Sequence, residues 1–152
     1  MPTPETQETA LAAALHELLG NAFVMYLRAH GAHWNVEGAQ FHSLHDFFSV
    51  VYNDVFGSID PIAEALRFHK FYAPSTLAGI SRSATIPDNS FENGNPVPML
   101  QDLIGVNAKV LESLFKVMPL ADAAQDPGLS NFIQDRINMH NMWAWQLRSH
   151  LK

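Results

Sequence analysis

The sequence predicts an all-α fold, a bundle of four long helices with one long crossover between the second and the third. Three observations carry this. Apolar residues recur at steps of three and four in four separate segments, which is the period of a helix with one buried face. Asn, Gly and Pro punctuate the gaps between segments. The one long interruption, between about 69 and 95, is rich in Pro, Ser, Gly and Asn and has room for a crossover.

The first helix is expected over roughly 5–33, on the stripe Leu11, Leu15, Leu18, Ala22, Met25 and Ala29. Asn35 and Gly38 end it. The second, roughly 39–68, carries Phe41, Leu44, Phe48, Val51, Val55, Ile59, Ala63 and Leu66 on one face. Pro61 lacks the N–H that would bond Gly57, so a kink is expected there. Within the crossover, PSTLAGIS is expected to form a short helix, and a connection this long lets the helices on either side run parallel. The third helix starts at NPVPML, with Asn95 as cap and prolines in the first turn, where a missing N–H costs nothing. Leu100, Leu103, Val110, Leu114 and Val117 form its stripe, and it is expected to end near Pro119. Asp126 and Pro127 open the fourth, with Leu129, Ile133, Ile137, His140, Ala144, Leu147 and Leu151 facing inward. Trp143 and Trp145 lie two apart, so they cannot both face the core.

At 152 residues and 47% hydrophobic composition, the chain reads as a single domain over 1–152 with a short flexible N-terminal tail. A net charge of −6, with nine scattered Lys and Arg, argues against nonspecific attraction to nucleic acid or to an anionic membrane. The N-terminal MPTPETQETA has neither a basic n-region nor an apolar h-region, and the longest apolar run, AFVMYL, is too short to cross a bilayer. A cytoplasmic protein is expected. With no cysteine, any metal must be held by imidazole and carboxylate, which suits iron, zinc or manganese.

The chemistry concentrates in AHWNVEGAQFHSLHDFF, residues 32–48. His33 continues the first helix's inward stripe and His45 sits beside Leu44 and Phe48, so both imidazoles are expected to point into packed structure. Farther along the second helix, Asp60 and Glu64 are i,i+4 neighbours on one face. His45 and Asp60 stand about 22 Å apart along one helix axis, so one chain cannot bring them to one metal. A copy packed antiparallel across a two-fold axis can, if these residues share a metal at all. His30, His42 and His140 read more simply as packed or capping histidines.

HWNVEG at 33–38, FHSLH at 41–45 and DPIAE at 60–64 resemble the Dps proteins, the miniferritins named as DNA-binding proteins from starved cells. The resemblance covers nearly the whole chain; its specific part is the order His, Trp, Asn, Gly, His, then Asp and Glu four apart. It implies a ferritin-like bundle and a hollow dodecamer that oxidises Fe(II) with peroxide or oxygen at two-fold interfaces and stores ferric mineral, so protecting against oxidative damage. It implies iron ligands His33 and His45 from one subunit and Asp60 and Glu64 from the other, with zinc as an alternative metal and Trp34 near the iron as an electron donor. Tryptophan also serves as an interface anchor, and the two readings of Trp34 stand level. Similar proteins line a three-fold pore with acids, here Asp122 and Asp126, although Asp126 is also a good N-cap.

One ligand of the family departs. Where an aspartate normally follows the second histidine by four residues, this chain has Ser49, a poorer iron ligand. Asp46 is turned about 100° away from His45, and His42, one turn earlier, is the better substitute. The competing reading is therefore a noncatalytic cage or nucleoid-type protein with a degenerate centre. DNA-binding members commonly carry a basic terminal tail. Here the N-terminus is acidic and the C-terminus offers only Arg148 and Lys152, so DNA binding is expected to be weak or absent.

Overall fold

A computed structural model of the chain describes residues 3–152. Its helices are α1 (Pro4–Asn35), α2 (Phe41–Phe68), α3 (Leu77–Ser83), α4 (Pro96–Ala123) and α5 (Pro127–Ser149). The expected N-terminal tail falls largely on residues 1 and 2, outside the described residues; Thr3 is already the N-cap of α1, its side chain accepting from the Thr6 N–H.

Cross-helix contacts fix the directions. His33 meets His45 and Tyr26 meets Phe56, so α1 and α2 run antiparallel. Arg28 pairs with Asp102 and Glu17 with Lys116, so α4 is antiparallel to α1 and therefore parallel to α2, as the long crossover requires. Asp54 bonds Arg136 and His69 bonds Asp126, which sets α5 antiparallel to α2.

Every residue of the predicted α1 stripe is buried. Leu11, Leu15, Leu18 and Met25 are fully so, each contributing about 1.5–3 kcal/mol relative to exposure. α1 is also long and apolar enough to cross a membrane by length and composition, which the short AFVMYL run had not suggested. More than half of that window is buried in the bundle, and its buried polar residues are bonded there. Asn21 donates to Ser113 and Thr85 and accepts from the Thr85 and Ile86 N–H groups, pinning the crossover to α1. A Cβ on Gly20 would lie 2.5 Å from Ala84 N, so only glycine lets the crossover come this close.

Three sequence expectations need correction. On α2 the buried stripe after Val55 passes through Ser58, Ile62 and Ala65, while Ile59 and Ala63 are half-buried and Phe41 is exposed. Repeated steps of four rotate about 40° each around the helix, and the core follows alternating steps of four and three. α4 does not stop near Pro119 but continues to Ala123, much as α2, expected to reach about residue 68, holds Pro61 inside its span. In both cases the carbonyl lacking a partner belongs to an exposed residue, Phe115 or Gly57, within reach of water. Lastly, Leu151 is exposed, lying past the end of α5.

Candidate metal centre

The end of α1 and the start of α2 place His33 and His45 face to face, their rings stacked at 3.7 Å between centroids and 17° between planes. The bonding is reciprocal. His33 Nδ1 lies 2.7 Å from the His45 carbonyl oxygen, and His45 Nδ1 lies 2.7 Å from the His33 carbonyl oxygen. A carbonyl only accepts, so each Nδ1 carries the proton and each Nε2 keeps a lone pair. Among the described residues neither Nε2 has a hydrogen-bond partner. Backbone carbonyls that fix the tautomer and ring direction are the usual outer support of a metal-binding histidine, so this pair fits a cation. Both rings are half-buried, each packed against the other.

Asp60 and Glu64 are exposed near the far end of α2, and no three metal-ligating side chains meet within the described residues of one chain. The structure thus brings His33 and His45 together and leaves the two carboxylates apart, in line with the distance along the helix. Ser49 is half-buried on α2, and its hydroxyl donates to the Asp46 carbonyl at 2.7 Å. His42 is 90% exposed and faces Asp46 at 3.7 Å across an i,i+4 pair.

Beside the pair lies an aromatic cluster that sequence reasoning did not assemble. His30 stacks on Tyr52 at 3.9 Å and 16°, contacts Trp34 at 4.0 Å, and its Nδ1 lies 3.2 Å from the Tyr26 hydroxyl. Burial, and then the neighbouring His33, hold its pKa below the usual imidazole value. Trp34 itself is 59% exposed. Asp126 does cap α5, accepting from Leu129 N–H at 2.9 Å, and its other oxygen lies 3.0 Å from His69 Nε2. The Leu129 amide first, and His69 after it, hold that carboxyl below its usual range against a smaller opposing effect of burial. Asp122 accepts from the Ser130 hydroxyl at 2.7 Å.

A four-helix bundle with a crossover that makes its middle helices parallel, and with inward-supported histidines, defines a class. Residues 12–152 match the ferritin-like domain model, and the chain belongs to that family. Its structure is similar to that of the Dps protein from Vibrio cholerae O1, described as a member of a broad superfamily of ferritin-like diiron-carboxylate proteins, with a TM-score of 0.90 and 29% identity over 97% of this chain and 92% of that one. General stress protein 20U of Bacillus subtilis is 28% identical over 93% of this chain and 97% of its own length. The DNA protection during starvation protein of Brevibacillus brevis is 26% identical over 93% of this chain and 95% of its own. These matches bear out the resemblance carried by HWNVEG, FHSLH and DPIAE, and the chain is a miniferritin of the Dps kind.

Proposed function

We propose that two copies of this chain, packed across a two-fold axis, bind Fe(II) between His33 and His45 of one subunit and Asp60 and Glu64 of the other. There the metal is oxidised with peroxide or oxygen, and ferric mineral collects inside a closed cytoplasmic shell of twelve subunits. The observation that supports this best is the reciprocal carbonyl bonding of His33 and His45, which leaves the Nε2 atoms of two stacked rings free. Iron is the substrate here, and zinc competes for the same donors. Each residue then has a role: the imidazoles bind, the carboxylates neutralise and bridge, and the shell retains the product.

The test combines assembly and chemistry. Light scattering at micromolar concentration should give an oligomer containing a two-fold interface, and anaerobic Fe(II) followed by peroxide should yield a soluble iron core that co-migrates with the protein. Glu64→Ala should abolish oxidation while leaving assembly intact. A monomer, or an iron precipitate outside the protein, refutes the reading. One observation favours the alternative of a noncatalytic cage: the Ser49 hydroxyl is turned to a backbone carbonyl and supplies no anionic oxygen beside His45. Weak or absent retardation of DNA at physiological salt fits either reading, because the basic residues are few and scattered.

A further inference from the structure

We propose that Phe41 is a positioning residue of this centre, holding the His45 ring in the orientation that presents its open Nε2. This role rests on the metal-binding reading above. Two half-buried imidazoles need something to keep them from turning, because the χ2 torsion of histidine is broad and does not itself fix the plane of the ring. The Nδ1 bond to the His33 carbonyl ties His45 at one atom and leaves the ring free to tilt about that bond. Only packing against both faces sets the plane.

Phe41 supplies the second face. The sequence puts it on the apolar stripe of α2, yet it is 44% exposed, and among the described residues its one ring neighbour is His45. The two rings lie 5.0 Å apart between centroids and 28° between planes, an offset stack of residues one helical turn apart. Phe41 makes no ring contact with His33, so the two lie on opposite faces of His45. His33 in turn meets the edge of Tyr52 at 5.2 Å. The imidazoles are therefore the middle of a row that runs Phe41, His45, His33, Tyr52. The chain builds the Phe41 end locally. Gly38, at φ +109°, makes the turn in which the Phe41 N–H donates to the Gly38 carbonyl at 3.0 Å, so α2 begins at Phe41, one turn ahead of His45. A phenyl left this exposed gives little to the core; what it covers is one face of a ligand.

Two measurements decide it, on assemblies matched by light scattering. Crystal structures of the metal-free protein should show the His45 ring in one orientation in the parent and in Phe41→Tyr, and in more than one in Phe41→Ala and Phe41→Leu. Zinc(II), titrated against a competing chelator, should bind Phe41→Ala on the order of 10–100-fold more weakly than the parent. Phe41→Tyr, which keeps the flat face, should bind within about twofold of the parent. Phe41→Leu, which keeps bulk without a flat face, should lose about as much as Phe41→Ala, and it carries the test alone if Phe41→Ala does not assemble. Zinc binding unchanged in Phe41→Ala, full affinity in Phe41→Leu, or weak binding with the His45 ring still in place each overturns the proposal. If the parent binds zinc but does not oxidise iron, the function proposed above fails and the role of Phe41 stands. If the parent binds no zinc, the metal-binding reading fails, and the order of the His45 ring still decides whether Phe41 positions it.

Discussion

His140 and the His33–His45 pair are the same residue type in one bundle, and they differ in where their nitrogens end. His140 is buried on α5, with Nδ1 donating to Asn107 Oδ1 at 2.8 Å and Nε2 accepting from Arg136 at 3.1 Å. Asn107 donates back to the His140 carbonyl, and Arg136 makes two bonds to Asp54, which also accepts from Trp143. Burial works to raise the Asp54 carboxyl, but the bonds from Arg136 and Trp143 and the Arg136 charge hold it below its usual range. His33 and His45 likewise use Nδ1 inside the chain yet leave Nε2 open. A histidine closed by its own chain ties α2, α4 and α5 together. A pair left open in one direction is set for something brought from outside.

The strongest way to break this comparison is to truncate each side. Asp54→Ala leaves the largely buried Arg136 guanidinium without its counter-ion, and should cost about 3–5 kcal/mol in urea unfolding. His33→Ala removes one hydrogen bond from a half-buried ring, a cost of about 1 kcal/mol. Its effect on iron should be the opposite in size, a loss of oxidation rate on the order of 10–100-fold. If His33→Ala proves the more destabilising, the pair belongs to the core and the distinction fails.

Acid sharpens the same contrast, with a smaller effect. Burial first, and the Arg136 charge second, push His140 down to about 3 from 6.5. The folded chain therefore holds His140 neutral where the unfolded chain protonates it, so stability is complete above about pH 6.5 and falls as pH drops toward 3. At about pH 4.5 the loss should be roughly 3 kcal/mol. Asp54 acts in the same direction at the acid end, since its lowered carboxyl favours the folded state only while ionised. His140→Gln should flatten the curve of urea midpoint against pH; an unchanged slope removes His140 as its source.

How much of this was legible depends on whether a feature is local. The α1 stripe was readable because residues three and four apart share a face whatever the rest of the chain does. So were the caps at Asn95 and Asp126, where one side chain bonds an amide two or three residues on. The Asp54–Arg136–His140–Asn107 cluster was not, because its members come from three helices and only packing pairs them. One signal was present: Asn107 stands at the stripe position between Leu103 and Val110, where a polar residue must find a buried partner. The reciprocal bonds of His33 and His45 had no such signal, since they involve carbonyls that every residue possesses. The candidate ligands were named from spacing and resemblance, and one chain alone does not bring all four together.

The last prediction concerns the smallest change, at Ser49, where the resemblance implies an aspartate. Ser49 stands one turn after His45 on α2, and its hydroxyl is occupied by the Asp46 carbonyl. Ser49→Asp puts an anionic oxygen at that place, on the same face of α2 as His45. If the second iron position is weak only for want of this oxygen, iron bound per subunit should rise toward two, and peroxide-driven oxidation should accelerate on the order of tenfold. Normal assembly is the control, since a carboxylate at a subunit contact needs room. His42→Ala completes the test: His42 faces Asp46 and is 90% exposed, so its loss should leave oxidation within about twofold of the parent. Should Ser49→Asp assemble without gain while His42→Ala cripples the reaction, the centre is built around His42, and the comparison with His140 must be redrawn with a different open nitrogen.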